Sequence, residues 1–431
     1  MKDKIVVGLD IGTTKICAIV GRQNEYGKLE ILGMGKAVSE GVIRGMVTNI
    51  NLTVDAIKKA IKEAGDQSGI DIRVVNVGIA GQHIKSSMHH GSIIRNSNEG
   101  EITVEDVNRL TNDMYRTVMP FGSQIIHVMP QDYSVDYENN IKDPVGMVGV
   151  KLESDFHVIT AQANAIQNIN NCILKAGLEI ENLVLEPLAS SLAVLSDEEK
   201  EAGVVLVDIG GGTTDMAIFH DNIIRHTAVI PFGGNIITSD IKTGCNLMQN
   251  QAELLKVKFG KAIAEEANVN EIVSIPGLRN RPPKEISLKN LAHIIQARME
   301  EIIEMVHAEI VHSGYQNKLS GGIVITGGGS QLQFVKQLFE YMIGMDARIG
   351  YPNEHLGKSK VEVIKSPMYS TGVGLVLTGF RAIDDRENKY MELSKDGRVV
   401  KRENEGGKFF KKIIDRTKNL LIDDLDDKTD Y

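Results

Sequence analysis

The 431-residue sequence predicts an α/β fold of two related halves, with a smaller α/β subdomain inserted into the first half and an amphipathic helix near the C-terminus. Three observations carry this. A strand-loop-strand pattern is written twice, the character of the chain changes after residue 83, and a basic amphipathic stretch, 408–422, follows a polar run.

The first copy of the pattern reads Val6-Val7-Gly8-Leu9-Asp10-Ile11-Gly12-Thr13-Thr14-Lys15. The second reads Val204-Val205-Leu206-Val207-Asp208-Ile209-Gly210-Gly211-Gly212-Thr213-Thr214-Asp215. In each, an apolar run ends in an acid, a turn of small residues follows, and a second apolar run begins, which is the pattern of strand, tight turn, strand. Glycine lets the backbone bring its N–H groups to a phosphate, threonine hydroxyls add donors, and an aspartate at a strand end can hold hydrated Mg²⁺. One such hairpin is an ordinary turn. Two, with Asp10 and Asp208 separated by 198 positions, point to a nucleotide held between related halves.

Length and composition bound the rest. At about 150 residues per domain, the chain is expected to hold two to four. Its 42% hydrophobic and 24% charged residues mark it as globular. A net charge of −9 argues against a nucleic-acid partner, which calls for a basic face. Cys17, Cys172 and Cys245 have neither disulfide-framework nor zinc spacing, which fits a reducing cytoplasm. The segment before the first strand has no signal-peptide core, and no run of about 18 apolar residues spans a bilayer. Membrane contact is therefore expected to be peripheral.

The elements follow in order. Residues 53–64 carry Val54, Ile57, Ala60, Ile61 and Ala64 at helical spacing, and a strand covers 74–79. Residues 84–164 read as the insert, with a polar stretch at 92–100, a helix at 103–114 and strand-like runs at 124–128 and 156–161. Helices at 165–176 and 187–195 lead to the second loop. Helical periodicity dominates 233–319, a strand and glycine turn return at 322–330, and a last helix covers 372–383. The expected division is 1–83 with 165–200 and 201–232 with 320–383 for the two halves, 84–164 for the insert and 233–319 for a helical subdomain. A flexible linker is expected at 384–407, the amphipathic helix at 408–422 and an acidic tail at 423–431. His89 and His90 read as a solvated loop pair, with no third metal ligand nearby in sequence.

Neither G-x-x-x-x-G-K-[ST] nor G-x-G-x-x-G occurs, so P-loop and dinucleotide folds are set aside. The two loops, Leu185-Glu186-Pro187-Leu188-Ala189-Ser190-Ser191, Ile323-Val324-Ile325-Thr326-Gly327-Gly328-Gly329-Ser330 and Ser366-Pro367-Met368-Tyr369-Ser370-Thr371-Gly372 together resemble the motif set of the actin-like (ribonuclease-H-like duplicated) ATPase superfamily. Ala252-Glu253-Leu254-Leu255-Lys256-Val257-Lys258-Phe259-Gly260 resembles the ribose-contacting helix of bacterial actins. Within the superfamily the chain is similar to the FtsA cell-division family in its length, its tail and the place of its insert, directly after Gly78-Ile79-Ala80-Gly81-Gln82-His83-Ile84.

The resemblance implies a site for ATP and Mg²⁺. Gly12, Thr13, Thr14 and Lys15 would wrap the phosphates from one side and Gly210, Gly211, Gly212, Thr213 and Thr214 from the other. Asp10 and Asp208 would hold the metal through water, Glu253 and Lys256 would meet ribose or base, and Gly327, Gly328 and Gly329 would admit adenine. Glu186 and Asp215 are the carboxylates expected nearest an attacking water, with slow turnover at most. Implied partners are the C-terminal peptide of FtsZ, met by Arg279, Arg281, Lys284 and Arg298, further copies of the chain in a polymer, other division proteins and anionic lipid of the inner membrane. The implied place is the cytoplasmic face of that membrane at the midcell septum. Heat-shock chaperones, sugar kinases and pilus-assembly adaptors share the loops, but respectively need a following substrate domain, need a catalytic Asp facing a hydroxyl, and lack such a tail.

The tail reads the same way from its own residues. Phe409, Phe410, Ile413, Ile414, Leu420 and Leu421 form one stripe, with Lys411, Lys412 and Arg416 mostly off it, the pattern of a helix lying in a lipid interface. Each basic residue contributes about 1 kcal/mol near an anionic leaflet, so one tail binds reversibly and many on a polymer bind firmly. The five aspartates after Ile422 disfavour extension of that helix and are repelled by anionic lipid.

Overall fold

A computed structural model describes residues 4–96, 100–277, 282–357 and 361–395. β1 (Ile5–Ile11), β2 (Lys15–Gln23) and β3 (Leu29–Val38) come first, then a short hairpin of β4 (Val42–Ile43) and β5 (Met46–Val47), α1 (Ile50–Ser68) and β6 (Val74–Ile79). Next are β7 (Ile84–Ile94), α2 (Val104–Met114), β8 (Ser123–Val135), β9 (Glu138–Ile141) and β10 (Lys151–Gln162). α3 (Ala163–Lys175), β11 (Glu179–Leu185), α4 (Glu186–Val194) and α5 (Asp197–Ala202) precede β12 (Val204–Ile209), β13 (Thr214–His220) and β14 (Ile223–Ile230). Then come α6 (Gly234–Cys245), α7 (Gln249–Phe259), β15 (Ile272–Ile275), β16 (Lys284–Ser287) and α8 (Leu288–His312). The described chain closes with β17 (Ile323–Thr326), α9 (Val335–Ile343), β18 (Ala347–Ile349) and α10 (Ser370–Lys395).

These elements form two units. One takes the residues up to 79, 162–193 and those from 351 onward, and the other takes 80–161 and 194–350. In the first, the sheet order is β11-β6-β1-β2-β3. β1, β2 and β3 are antiparallel, while β6 runs parallel to β1 and β11 parallel to β6. α1 is longer than its apolar stripe predicts. The Asn49 side chain accepts the Leu52 N–H and starts it, and Gly69 in the left-handed conformation stops it. Val54, Ile57, Ala60 and Ala64 are its buried face. α10 lies on β1 so closely that a Cβ on Gly8 would come 2.8 Å from the Gly372 carbonyl oxygen.

The second unit repeats the plan, with order β14-β13-β12-β17-β18. Directions match as well: β12, β13 and β14 are antiparallel, and β17 and β18 continue parallel from β12. All of β12 is buried, so its continuous apolar run is what a strand covered on both faces requires. α8 buries Leu291, Ile295, Met299, Ile302, Ile303, Val306 and Ile310, each contributing about 1.5–3 kcal/mol of hydrophobic stabilisation.

The insert is a separate sheet, β7-β10-β8-β9, whose core includes Leu110 and Met114 of α2 with Leu152, Phe156 and Val158. Thr103 and Asp106 form a capping box at the start of α2. The insert is tied to the edge strand β14: Gln131 Nε2 donates to the Ile224 carbonyl (3.0 Å), Ser86 Oγ to the Thr227 carbonyl (3.2 Å), and Arg225 pairs with Asp132 (2.8 Å). Edge-strand carbonyls that face water in an open sheet are satisfied here by side chains.

Three expectations are corrected. The last helix, expected in the second half with 320–383, belongs to the first unit, where α10 packs on β1. His89 and His90 are not in a loop but on β7, and His90 reaches Asp155 Oδ1 (2.9 Å) and Glu153 Oε1 (3.1 Å). Its partners lie over sixty residues away in sequence and arrive by β7–β10 pairing. Still, no group of three or more metal-type side chains is placed to hold an ion among the described residues. The linker expected from 384 is helical to Lys395. Residues 384–395 contain no glycine or proline, and Lys4 anchors Asp384 and Glu387 while Arg386 pairs with Glu181. The rest of that linker, the 408–422 helix with Phe409, Phe410, Lys411, Lys412, Ile413, Ile414, Arg416, Leu420 and Leu421, and the acidic tail lie outside the described residues. No helix among the described residues is long and apolar enough to cross a membrane.

Candidate functional site

Both predicted loops are hairpin turns of one design. The Gly12 N–H donates to the Lys15 carbonyl at 3.1 Å, and the Gly210 N–H to the Thr213 carbonyl at 2.9 Å. The acid of each copy ends up buried on its central strand, Asp10 6% and Asp208 8% exposed. The copies differ in what faces the acid across the strand pair: Asp10 faces Cys17, whereas Asp208 faces Asp215. Burial pushes the Cys17 thiol up to about 12, with Asp10 adding to the rise, so this cysteine is inert.

In the first unit, Lys15 Nζ donates to the Met368 carbonyl (2.9 Å) and lies 5.5 Å from the centroid of the Tyr369 ring. The late 366–372 motif is thus beside the first loop. Thr13 Oγ1 accepts the Gly45 N–H at 3.2 Å. Glu186 opens α4, and a Cβ on Gly78 at the end of β6 would lie 3.0 Å from its Cγ. This brings the second predicted carboxylate motif to the C-terminal ends of β6 and β11, in the unit that carries Asp10.

In the second unit the loop is clasped by the segment entering α6. The Gly234 N–H donates to the Gly210 carbonyl (2.9 Å), the Asn235 N–H to the Gly211 carbonyl (2.8 Å), and Thr214 Oγ1 to the Phe232 carbonyl (2.8 Å). Gly233 is obligatory there, since a Cβ would sit 2.6 Å from the Gly210 oxygen. Gly327 has φ 83° and a Cβ on it would come 2.3 Å from Asp208 Oδ1; Gly329 presses on Ile209 in the same way, whereas Gly328 has nothing within 4 Å. The glycine turn therefore leaves an open face at Gly328 alone.

Asp215 is fully enclosed beside these groups. Thr213 Oγ1 donates to its Oδ2 at 2.7 Å, and its Oδ1 has no hydrogen-bond partner. Burial, with the Asp208 charge adding to it and the Thr213 bond opposing, raises its carboxyl to about 7. An orphaned carboxylate oxygen next to a second acid suits a site completed by a cation or a water.

Glu253 and Lys256 lie on the face of α7 toward α6, Lys256 largely buried and Glu253 half-exposed. Lys256 Nζ donates to the Gly234 carbonyl and to Thr238 Oγ1, both at 2.8 Å, and pairs with Glu253 (2.8 Å), which also takes the Thr238 hydroxyl. This network links α7 to the first turn of α6 and so to the loop. Gly233, Gly234 and Thr238 were not singled out from sequence; the Phe232-Gly233-Gly234 turn after β14 was the available signal. Among the basic residues expected to meet a peptide, Arg279 and Arg281 lie outside the described residues. Lys284 donates to the Cys245 and Asn246 carbonyls at the end of α6. Arg298 clamps Asp240 through two nitrogens (2.6 and 3.2 Å), pairs with Glu301 and stacks 5.9 Å from the Phe232 ring.

Two sheets of one order, each with an acid-glycine-threonine hairpin on its central pair, define an actin-like ATPase fold. Solved structures agree: the chain resembles a PilM-PilN type IV pilus biogenesis complex with TM-score 0.65 at 16% identity, covering 87% of this chain and 98% of that one. It resembles MreB5 of Spiroplasma citri with TM-score 0.50 at 15% identity, over 90% and 98%. A model described as Hsp70 protein matches residues 161–225, one described as the SHS2 domain inserted in FTSA matches 81–160, and one described as Cell division protein FtsA matches 205–374. The Cell division protein FtsA of Pseudomonas aeruginosa is 41% identical over 383 residues, 89% of this chain and 91% of the relative. That of Borreliella burgdorferi is 38% identical over 406 residues, 94% and 96%. The chain belongs to the FtsA family, and its role is in cell division.

Proposed function

We propose that the protein binds ATP with Mg²⁺ through both loops, polymerises, and tethers FtsZ filaments to the cytoplasmic face of the inner membrane at midcell, where it helps recruit later division proteins. The observation that carries this is the duplicated hairpin on duplicated sheets. The residues present suit the nucleotide: Asp10 and Asp208 offer carboxylates to a hydrated cation, which would neutralise phosphate charge when bound. Gly12, Thr13 and Thr14, and Gly211, Gly212, Thr213 and Thr214, supply amides and hydroxyls for the phosphates. In this reading Asp215, whose carboxyl burial raises to about 7 and which Thr213 hydrogen-bonds, takes a proton from a water, and Glu186 is the second candidate carboxylate. Glu253 and Lys256 hold α6 against the second loop and extend toward ribose from that position. In this reading, ATP binding would favour one conformational state over another, which is how it would govern assembly.

The division into two halves, an insert at 84–164 and a helical subdomain at 233–319 fits this reading. In it the helical subdomain receives the acidic C-terminal peptide of FtsZ, and the 408–422 helix lies in anionic lipid. Lys284 and Arg298 already hold intramolecular partners, which a bound peptide would displace. The test is sedimentation with anionic vesicles and ATP, comparing the full chain with one ending at Gly407, beside ATP binding by wild type and Asp208→Ala. Truncation is expected to abolish vesicle binding and Asp208→Ala to abolish ATP binding. Vesicle binding retained by the truncated chain removes the tether, and unaltered ATP affinity in Asp208→Ala removes the site.

A further inference from the structure

The turn between β4 and β5 leans on the first loop. Val42 pairs with Val47 and Ile43 with Met46, which leaves Arg44 and Gly45 as a two-residue turn. Both have positive φ, 48° and 75°, the backbone of a type I′ hairpin, in which Asn-Gly or Gly-Gly is usual. Arginine is a costly choice at such a position.

The turn is braced at both ends. Its Gly45 N–H donates to Thr13 Oγ1 (3.2 Å), and just upstream the Ser39 N–H donates to the Thr14 carbonyl (3.1 Å). At its base the Gly41 carbonyl accepts the Thr48 N–H (2.8 Å), the Thr48 hydroxyl (3.1 Å) and the Asn49 N–H (3.1 Å). A Cβ on Gly41 would lie 2.3 Å from the Thr53 hydroxyl of α1. The segment from Ser39 to Asn49 is therefore a bracket resting on α1, with its tip on Thr13 and its start on Thr14 of the loop.

Charge in the same unit shows what the tip lacks. Lys15, the loop's own cation, is engaged by the Met368 carbonyl and the Tyr369 ring, and Asp10 and Glu186 are acids. Arg44 is exposed, and among the described residues its guanidinium makes no salt bridge. A polyphosphate beside Thr13 carries more charge than one hydrated Mg²⁺ offsets, and a guanidinium binds phosphate oxygens bidentately.

We propose that Arg44 is a phosphate-binding residue, carried by the β4–β5 turn to the terminal phosphates of the nucleotide that Thr13 and Thr14 hold. This rests on the ATP reading above.

The test is equilibrium binding of ATP with Mg²⁺ to the full chain, with AMP as competitor, for wild type, Arg44→Ala, Arg44→Lys and Arg44→Gly. Arg44→Ala and Arg44→Gly are expected to weaken ATP about tenfold or more, and Arg44→Lys less. AMP, without terminal phosphates, is expected to change by less than about threefold, because the lost contact is to a charged oxygen it does not carry. The nucleotide-free Arg44→Gly protein is expected to melt at or above the wild-type temperature, since glycine suits φ 48°. ATP affinity of Arg44→Ala within about twofold of wild type, equal losses for AMP and ATP, or a lowered melting temperature in Arg44→Gly would each overturn the assignment, the last by revealing a structural role. A wild-type chain that does not bind ATP overturns the nucleotide reading, and this one with it.

Discussion

Gly327 and Gly328 are neighbours in one motif, yet the structure separates them sharply. At Gly327 the backbone has φ 83° and ψ 179°, a region that is nearly exclusive to glycine and costs other residues about 1–3 kcal/mol. An alanine Cβ there would stand 2.3 Å from Asp208 Oδ1 and 2.6 Å from the Ile209 carbonyl oxygen, and relieving such overlap costs about 1–3 kcal/mol more. Gly327→Ala should therefore lose about 2–6 kcal/mol, which for a unit of this size lowers the melting temperature on the order of 10 °C. At Gly328 the methyl meets nothing within 4 Å, and removing glycine restricts the unfolded chain, so stability is expected unchanged or raised by about 0.4–1 kcal/mol. Thermal melting of the nucleotide-free protein measures both. ATP binding then separates their roles, because the methyl of Gly328→Ala enters the open face and should weaken binding without harming the fold. The reasoning is refuted if the two variants melt alike, or if Gly327→Ala stays within about 2 °C of wild type.

Three further outcomes follow from named contacts. Because burial raises Asp215 to about 7 from an unfolded value near 4, the folded state binds the proton more tightly; the contribution of Asp215 to stability is full below about pH 4 and is lost as pH rises through about 7. Denaturant titration from pH 4 to 8 should show this slope in wild type and lose most of it in Asp215→Asn. Arg95, 2% exposed in its side chain, holds Asp106 (3.0 Å) and the carbonyls of Gly149 (2.8 Å) and Glu101 (2.6 Å), so Arg95→Ala should cost the insert about 3–5 kcal/mol. Hydrogen exchange in 100–152 measures it, and protection equal to wild type would count against the contact. Lys256→Met breaks the bonds to the Gly234 carbonyl and Thr238, so a loss of about 1–3 kcal/mol is expected; an unshifted denaturation midpoint would show the network to be dispensable.

Much of the fold was legible because its signals are local. The hairpin loops, the apolar stripe of α1 and the helical periodicity of 233–319 each depend on residues within a turn or two of one another. The turns were legible where they are backbone: Gly12 and Gly210 close the two hairpins and Gly327 takes a positive φ. The site was less legible where it is made of long side chains. The intramolecular partners of Arg298, Lys284, Glu253 and Lys256 could not be read, because sequence shows their charge without showing their neighbours.

By itself, then, the sequence determined the doubled hairpin, the acids at its strand ends and the family to which these belong, since turn chemistry and strand period are set by adjacent residues. Only the tertiary structure decided that Asp215 is enclosed beside Asp208 while Cys17 takes the matching place by Asp10, that α10 runs to Lys395, and that the Arg44 turn rests on Thr13. Each depends on elements far apart in the chain coming within hydrogen-bond distance, and the burial that shifts a carboxyl or satisfies an edge strand exists only once they have packed.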